Sequence, residues 1–118
     1  MDYHGIFVKE GLKDESVLKE MKILGQKISG NWVLLKVSVE KDKIKELVVK
    51  VQKNLKTNPN FYAHFYRNSE LIVIFPQKIF YMNPDKSTWK EAIEFGKFLG
   101  IPEKQLDFHP CRIEDETY

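Results

Sequence analysis

Apolar side chains recur along the chain with two different periods, and these periods mark the predicted elements. Over residues 14–29 they are spaced by four, three and four positions, which is the pattern of one face of a helix. Its members are Val17, Met21, Leu24 and Ile28. Residues 32–39 alternate instead, as in a half-buried strand. The pattern therefore predicts a helix over 14–29 and a strand over 32–39.

The second half of the chain repeats both periods. An apolar stripe at helical spacing predicts a helix from residue 44 to residue 55. Strands are predicted at 61–67, 70–75 and 78–82. Asn68-Ser69 suits a tight hairpin, whereas Pro76 predicts a bulge within one bent strand. A helix then runs from about residue 88 to Gly100, which ends it, and residues 107–113 form a last extended segment.

The order of these elements predicts the fold class. A strand, a helix, a hairpin, a helix and a final strand match the βαββαβ arrangement of ferredoxin-like α+β sandwiches. The predicted fold is α+β: a mostly antiparallel sheet with its helices on one face, preceded by an extra N-terminal helix. Residues 1–11 fit either an edge strand or a segment that lies over the core.

Length and composition limit the remaining choices. A chain of 118 residues fits a single domain, 1–118, with an N-terminal segment and helix (1–30), an α+β core (31–113) and an acidic tail (114–118). The one cysteine excludes an internal disulfide and is typical of a reducing compartment, so we expect a cytoplasmic protein. No apolar run approaches the roughly 20 residues of a membrane span, so no membrane partner is predicted.

Aromatic residues are densest in NFYAHFYR, residues 60–67, of a chain that is 13% aromatic. Alternate side chains of a strand point to opposite faces of its sheet. One set, typical of a core, contains Phe61, Ala63, Phe65 and Arg67. The other set has polar tips on large rings and contains Tyr62, His64 and Tyr66. We call this second set the Tyr-His face.

The Tyr-His face is the main candidate surface for binding. Large rings with polar tips suit either a stacking site or a partly buried layer whose OH and NH groups find partners. The candidate binding residues are Tyr62, His64, Tyr66, Trp32 and Arg67. Two interpretations stay open: the face is covered, by the N-terminal helix or by a second copy of the chain, or it is an open binding surface.

Catalytic and metal-binding motifs are absent from the sequence. It contains no Gly-rich phosphate loop, no GxSxG, no HExxH and no CxxC. His109 and Cys111 are close in sequence, but two positions apart in a strand their side chains would be too distant to pair. Histidines at 4 and 64 show no zinc-ligand spacing. We therefore predict no metal site, no cofactor and no assigned catalytic residue.

Three functions remain, from different classes. The leading hypothesis is a small binding or interaction module that recognises itself as a homo-oligomer, a protein partner or a small ligand. The alternative is a small enzyme with His64 as acid or base. Single-stranded nucleic-acid binding is the third; it is disfavoured because residues 60–63 lack the basic-Gly-aromatic start of an RNA-binding sheet.

Several longer phrases carry a resemblance to other proteins. They are GLKDESVL, FYAHFYR, STWKEAIEFG and GIPEKQLDFHPCRIEDETY. Together they resemble a group of small prokaryotic proteins that has no assigned activity. The resemblance covers most of the chain and implies no catalytic or binding residue.

Overall fold

A computed structural model describes residues 2–118 and shows an α+β fold with one six-stranded sheet, in which every neighbouring pair is antiparallel. The strands and helices follow one another as β1 (Tyr3–Val8), β2 (Lys22–Ser29), β3 (Trp32–Val39), α1 (Ile44–Asn54), β4 (Ala63–Arg67), β5 (Glu70–Ile74), β6 (Ile79–Met82) and α2 (Lys90–Phe98). Their order across the sheet is β2-β3-β1-β4-β5-β6. Short 3-10 turns lie in three of the connections and after α2, at Lys9–Gly11, Glu15–Glu20, Lys41–Lys43, Lys86–Thr88, Glu103–Gln105 and Ile113–Asp115.

Strand β1 lies in the middle of the sheet, between β3 and β4. Its position explains one glycine. A Cβ atom on Gly5 would lie 2.3 Å from a ring carbon of Phe65, so the buried ring needs bare backbone beneath it. The sequence predicts either an edge strand or a covering segment for residues 1–11. The structure shows a central strand instead, so both predictions are wrong.

The two helices cover opposite faces of the sheet. Helix α1 buries its apolar stripe against one face, where it packs with residues such as Val37, Phe65 and Ile72. Helix α2 and the segment of residues 101–118 cover the other face, where Tyr66, Leu71, Val73 and Phe108 are buried. The structure therefore has three layers, and the prediction that the helices share one face is wrong.

The predicted helix over residues 14–29 is also wrong. Asp14 accepts a hydrogen bond from the Ser16 backbone and starts the short turn Glu15–Glu20, after which the chain enters β2. Strand β2 pairs with β3 along its length, with an irregularity between Ile23 and Gly25, and Gly30 closes the hairpin at φ 60°. Of the predicted stripe only Val17 is buried, whereas Leu24 and Ile28 are exposed on β2, whose backbone is paired with β3.

The ferredoxin-like βαββαβ topology is not what the strand order shows. Strand β3 lies between β2 and β1, so it does not neighbour β4 or β5, and no pair is parallel. Residues 107–113 contribute no strand and continue across the sheet face as irregular chain. The chain therefore forms an all-antiparallel sheet to which β1 and β2, which are not part of the predicted βαββαβ pattern, each contribute a strand.

The predictions for the two short connections, β4–β5 and β5–β6, differ in how they compare with the structure. Asn68 adopts φ 50°, which confirms the hairpin predicted at Asn68-Ser69. Pro76-Gln77 also forms a two-residue hairpin, since Phe75 and Lys78 exchange both backbone hydrogen bonds. The predicted bulge is therefore wrong. Within residues 2–118, the helices lack the length and apolarity needed to cross a bilayer.

Candidate functional site

The Tyr-His face lies where alternation placed it, but it is covered. Tyr66 is fully buried and His64 retains 4% of its exposure. The cover is the segment of residues 101–118, not residues 14–29 as one interpretation of the sequence held. Phe108 is its anchor: this fully buried ring lies 5.6 Å from that of Tyr62, 6.4 Å from that of His64 and 5.3 Å from that of Trp89, between centroids.

His64 is held in the middle of this layer by two contacts. Its Nε2 lies 2.9 Å from the carbonyl oxygen of Pro110, and its ring stacks on Tyr66 with 5.7 Å between centroids. Burial lowers the pKa of His64 to about 4, because charging the imidazole would cost solvation that the single carbonyl bond does not replace. His64 is therefore neutral at pH 7.

Tyr66 ends in a buried polar cluster that we call the Glu116 cluster. Its hydroxyl donates to a Glu116 carboxylate oxygen at 2.6 Å, and the same carboxylate contacts His4 Nδ1 at 2.5 Å and Lys36 Nζ at 3.2 Å. Lys36 also lies 5.1 Å from the centre of the Tyr118 ring. The tail predicted as residues 114–118 is thus tied to the sheet through Glu116.

The pKa of Glu116 shows which contacts prevail in this cluster. Burial would raise it, but hydrogen bonds from Tyr66 and His4, together with the nearby Lys36 ammonium, hold it below its usual value of 4.5. The pKa of Tyr66 is raised by burial and by the same carboxylate, so its hydroxyl stays a donor. Glu116 is therefore a buried carboxylate with three hydrogen-bonding neighbours, one of which is the Lys36 ammonium.

Beside His64 lies an aromatic cleft with a volume of about 440 Å³, between β1, β3, β4 and the covering segment. Three of its walls are the rings of Trp32, Phe61 and Tyr62, and the rings of Trp32 and Phe61 meet edge to face at 5.5 Å. Its polar lining includes His64, Lys104, Gln105, Asp107 and His109. Pockets of this size and mixed lining are typical of small-ligand sites.

Tyr62 forms part of this wall and is itself well anchored. Its hydroxyl donates to the carbonyl oxygen of Gln105 at 2.5 Å, and its ring also contacts Phe75 at 5.6 Å. Burial raises its pKa, as does the charge of Asp107. Tyr62 therefore presents a fixed ring to the cleft.

The structure brings three of the five predicted site residues to one place. Trp32, Tyr62 and His64 all line the aromatic cleft. Tyr66 lies behind His64 and reaches the Glu116 cluster. Arg67 is on the opposite face of the sheet, where its guanidinium lies over the Tyr3 ring at 4.5 Å and pairs with Glu70.

A second cavity, of about 790 Å³, adjoins the aromatic cleft and shares Ile6, Leu34 and His109 with it. It contains Cys111, whose sulfur lies 3.7 Å from His109 Nδ1. The expectation that these side chains are too far apart is wrong, because residues 107–113 are not a strand and period-two spacing does not apply. Burial raises the pKa of the Cys111 thiol, which therefore stays protonated at neutral pH.

Two further features bear on ligands and partners. Across residues 2–118, no three His, Cys, Asp or Glu side chains are grouped so that they could hold a metal ion. The edge strand β2 exposes Ile23 and Ile28, 51% and 73% accessible, but its two lysines and its irregular register limit pairing with another strand. Self-association stays a prediction.

Sequence reasoning missed the Glu116 cluster and the covering segment. One signal was present: Lys36 interrupts the apolar strand WVLLKVSV, and a lysine on a half-buried strand needs an anion nearby. The acidic tail was the nearest unassigned source of one. Searches of family models, curated proteins and solved structures returned no match for this chain.

Proposed function

We propose that this protein binds a small, flat and largely apolar ligand in the aromatic cleft. The observation that carries the proposal is the convergence of Trp32, Phe61 and Tyr62 around one volume of about 440 Å³, with the neutral imidazole of His64 at its side. Rings that stack or meet edge to face favour a ligand with its own π-system. A few polar groups among apolar walls fix orientation in such sites.

The walls are supported well enough to be preformed. Tyr62 is held by its hydroxyl and by the Phe75 and Phe108 rings, and His64 by Pro110 and Tyr66. A ligand that enters a fixed pocket loses less free energy to ordering side chains than one that must assemble its site. Small-ligand binding is therefore favoured over the broader class of interaction module predicted from the sequence.

The other two sequence hypotheses receive less support. An acid or base near neutral pH needs a pKa near 7, whereas burial lowers that of His64 to about 4 and its Nε2 is engaged by Pro110. A surface that stacks successive bases needs exposed rings, whereas Tyr66 and Phe108 are fully buried.

Binding can be tested by screening fused bicyclic aromatic fragments against the ¹⁵N-labelled protein by NMR. We expect some fragments to shift the Trp32 and Tyr62 signals. Trp32→Ala should weaken the affinity for these fragments by roughly five- to tenfold, because ring contacts are lost. Tyr81→Ala is the matched control, since Tyr81 is 70% exposed on β6 and does not line the cleft. Absence of cleft shifts at millimolar fragment, or equal effects of both variants, would contradict the proposal.

A further inference from the structure

The hydrogen-bonding state of His64 follows from its one polar contact. A carbonyl oxygen only accepts hydrogen bonds, so the 2.9 Å contact with Pro110 requires that Nε2 carry the hydrogen. In a neutral imidazole the other nitrogen is then an acceptor. His64 Nδ1 is therefore a hydrogen-bond acceptor in this structure.

That acceptor is open to the cleft. His64 makes no hydrogen bond other than the one to Pro110 among residues 2–118, and it lines the aromatic cleft. Within the same residues, Tyr118 Oη is the only buried side-chain nitrogen or oxygen that is sealed from solvent without a partner. Nδ1 is not among the sealed atoms, and the aromatic cleft is the space that His64 lines, so we place Nδ1 at the cleft. A ligand that displaces water from this nitrogen without replacing its hydrogen bond would lose affinity.

Asp107 adds a second free acceptor at the same site. Its carboxylate lines the cleft and forms no hydrogen bond or ion pair with the residues that the structure describes. Its charge acts on both His64 and Tyr62, which also line the cleft, and on Cys111 in the neighbouring cavity. Tyr62 cannot serve as a donor to a ligand, because its hydroxyl hydrogen is already given to Gln105.

We infer that the aromatic cleft selects nitrogen heteroaromatic compounds with a ring N–H, of the indole class, and that this N–H donates to His64 Nδ1. The inference rests on the proposed function and names its ligand class. Apolar ring walls recognise the bicyclic body, and the unpaired acceptor recognises the donor. Asp107 extends the same preference to compounds that carry a further N–H or ammonium group.

The test compares 3-methylindole with 1-methylindole. These isomers have the same formula and nearly the same size, but only the first has an N–H. We expect 3-methylindole to bind at least about tenfold more tightly, because 1-methylindole would leave the buried acceptor without a hydrogen-bond donor. In His64→Phe the two isomers should bind equally. Cys111→Ala, at a residue that lines the neighbouring cavity and not the cleft, should keep the preference.

A second measurement avoids dependence on the variant's folding. In the wild-type protein, the ¹⁵N shift of His64 Nδ1 should move strongly when 3-methylindole is added and much less with 1-methylindole. Equal affinity of the two isomers, with no Nδ1 shift, would overturn the inference and leave the proposed function standing. Failure of both isomers and of the whole fragment set to bind the cleft would overturn the proposed function itself.

Discussion

Replacing Phe108 with alanine should lower the free energy of unfolding by about 3–5 kcal/mol, the usual cost of truncating a buried phenylalanine. The ring has no exposed surface and contacts Tyr62, His64 and Trp89. Loss of the ring would leave a cavity between the sheet and the covering segment. Around Phe108 this segment forms no strand or helix that could hold it in place. Chemical denaturation measures the change directly.

Phe98 is the matched control for this substitution. It is also a phenylalanine, at the end of α2, but it is 84% exposed. Phe98→Ala should change stability by less than about 0.5 kcal/mol. Similar small losses for both variants would contradict the view that Phe108 anchors the cover over the Tyr-His face.

Glu116→Ala should destabilise the protein by about 3 kcal/mol, the lower end for a broken buried ion pair. The substitution leaves the Lys36 ammonium, whose side chain is 9% exposed, without its carboxylate, and it removes the acceptor of the Tyr66 hydroxyl. Adding Lys36→Met to Glu116→Ala should recover a large part of the loss, because the unpaired buried charge is then gone.

The control and the pH dependence make this prediction specific. Glu114 is exposed and 3.8 Å from Arg112, so Glu114→Ala should cost less than about 0.5 kcal/mol. The folded-state pKa of Glu116 is below 4.5, so its carboxylate stabilises the fold above pH 4.5 and this contribution is lost as the pH falls through the lower value. Glu116→Ala should therefore flatten the acid side of the stability profile. No flattening, or equal losses for both glutamates, would exclude a stabilising cluster.

Local patterns were enough to predict the elements that bury a regular stripe or turn tightly. Helix α1 buries the predicted stripe, and the hairpin at Asn68 needs the left-handed backbone that asparagine tolerates. Alternation also separated Phe65 from His64 correctly, since these neighbours pack on opposite faces of the sheet. Each of these features depends on residues close in sequence.

The features that were missed depend on contacts between distant segments. Residues 22–29 have apolar residues at helical spacing, yet they pair with β3, and Ile28 stays 73% accessible. Strand β1 lies in the middle of the sheet, beside β4, and Glu116 contacts His4 of this strand. Both features bring together segments that are far apart in sequence. A period of side chains cannot reveal such pairings, because it carries no information about which segments meet.

Some residues of the candidate site could be predicted from local patterns, and others depend on contacts between distant segments. Tyr62 and His64 could be chosen from NFYAHFYR, and Trp32 from the neighbouring face. Asp107 and His109 could not, since they reach the aromatic cleft only because residues 101–118 cross the sheet. Arg67 lies on the opposite face of the sheet from the cleft, as alternation along residues 61–67 predicts.

The protonation and tautomer of the His64 imidazole test the account most directly. Its pKa depends on coverage of the Tyr-His face, and its tautomer decides whether Nδ1 is the open acceptor. Two-dimensional ¹H–¹⁵N NMR across a pH titration reports the pKa and the tautomer of this one ring. We predict a pKa of about 4 and a hydrogen on Nε2 at neutral pH. A pKa near 6.5 would contradict the covered face, and a hydrogen on Nδ1 would contradict the proposed ligand contact.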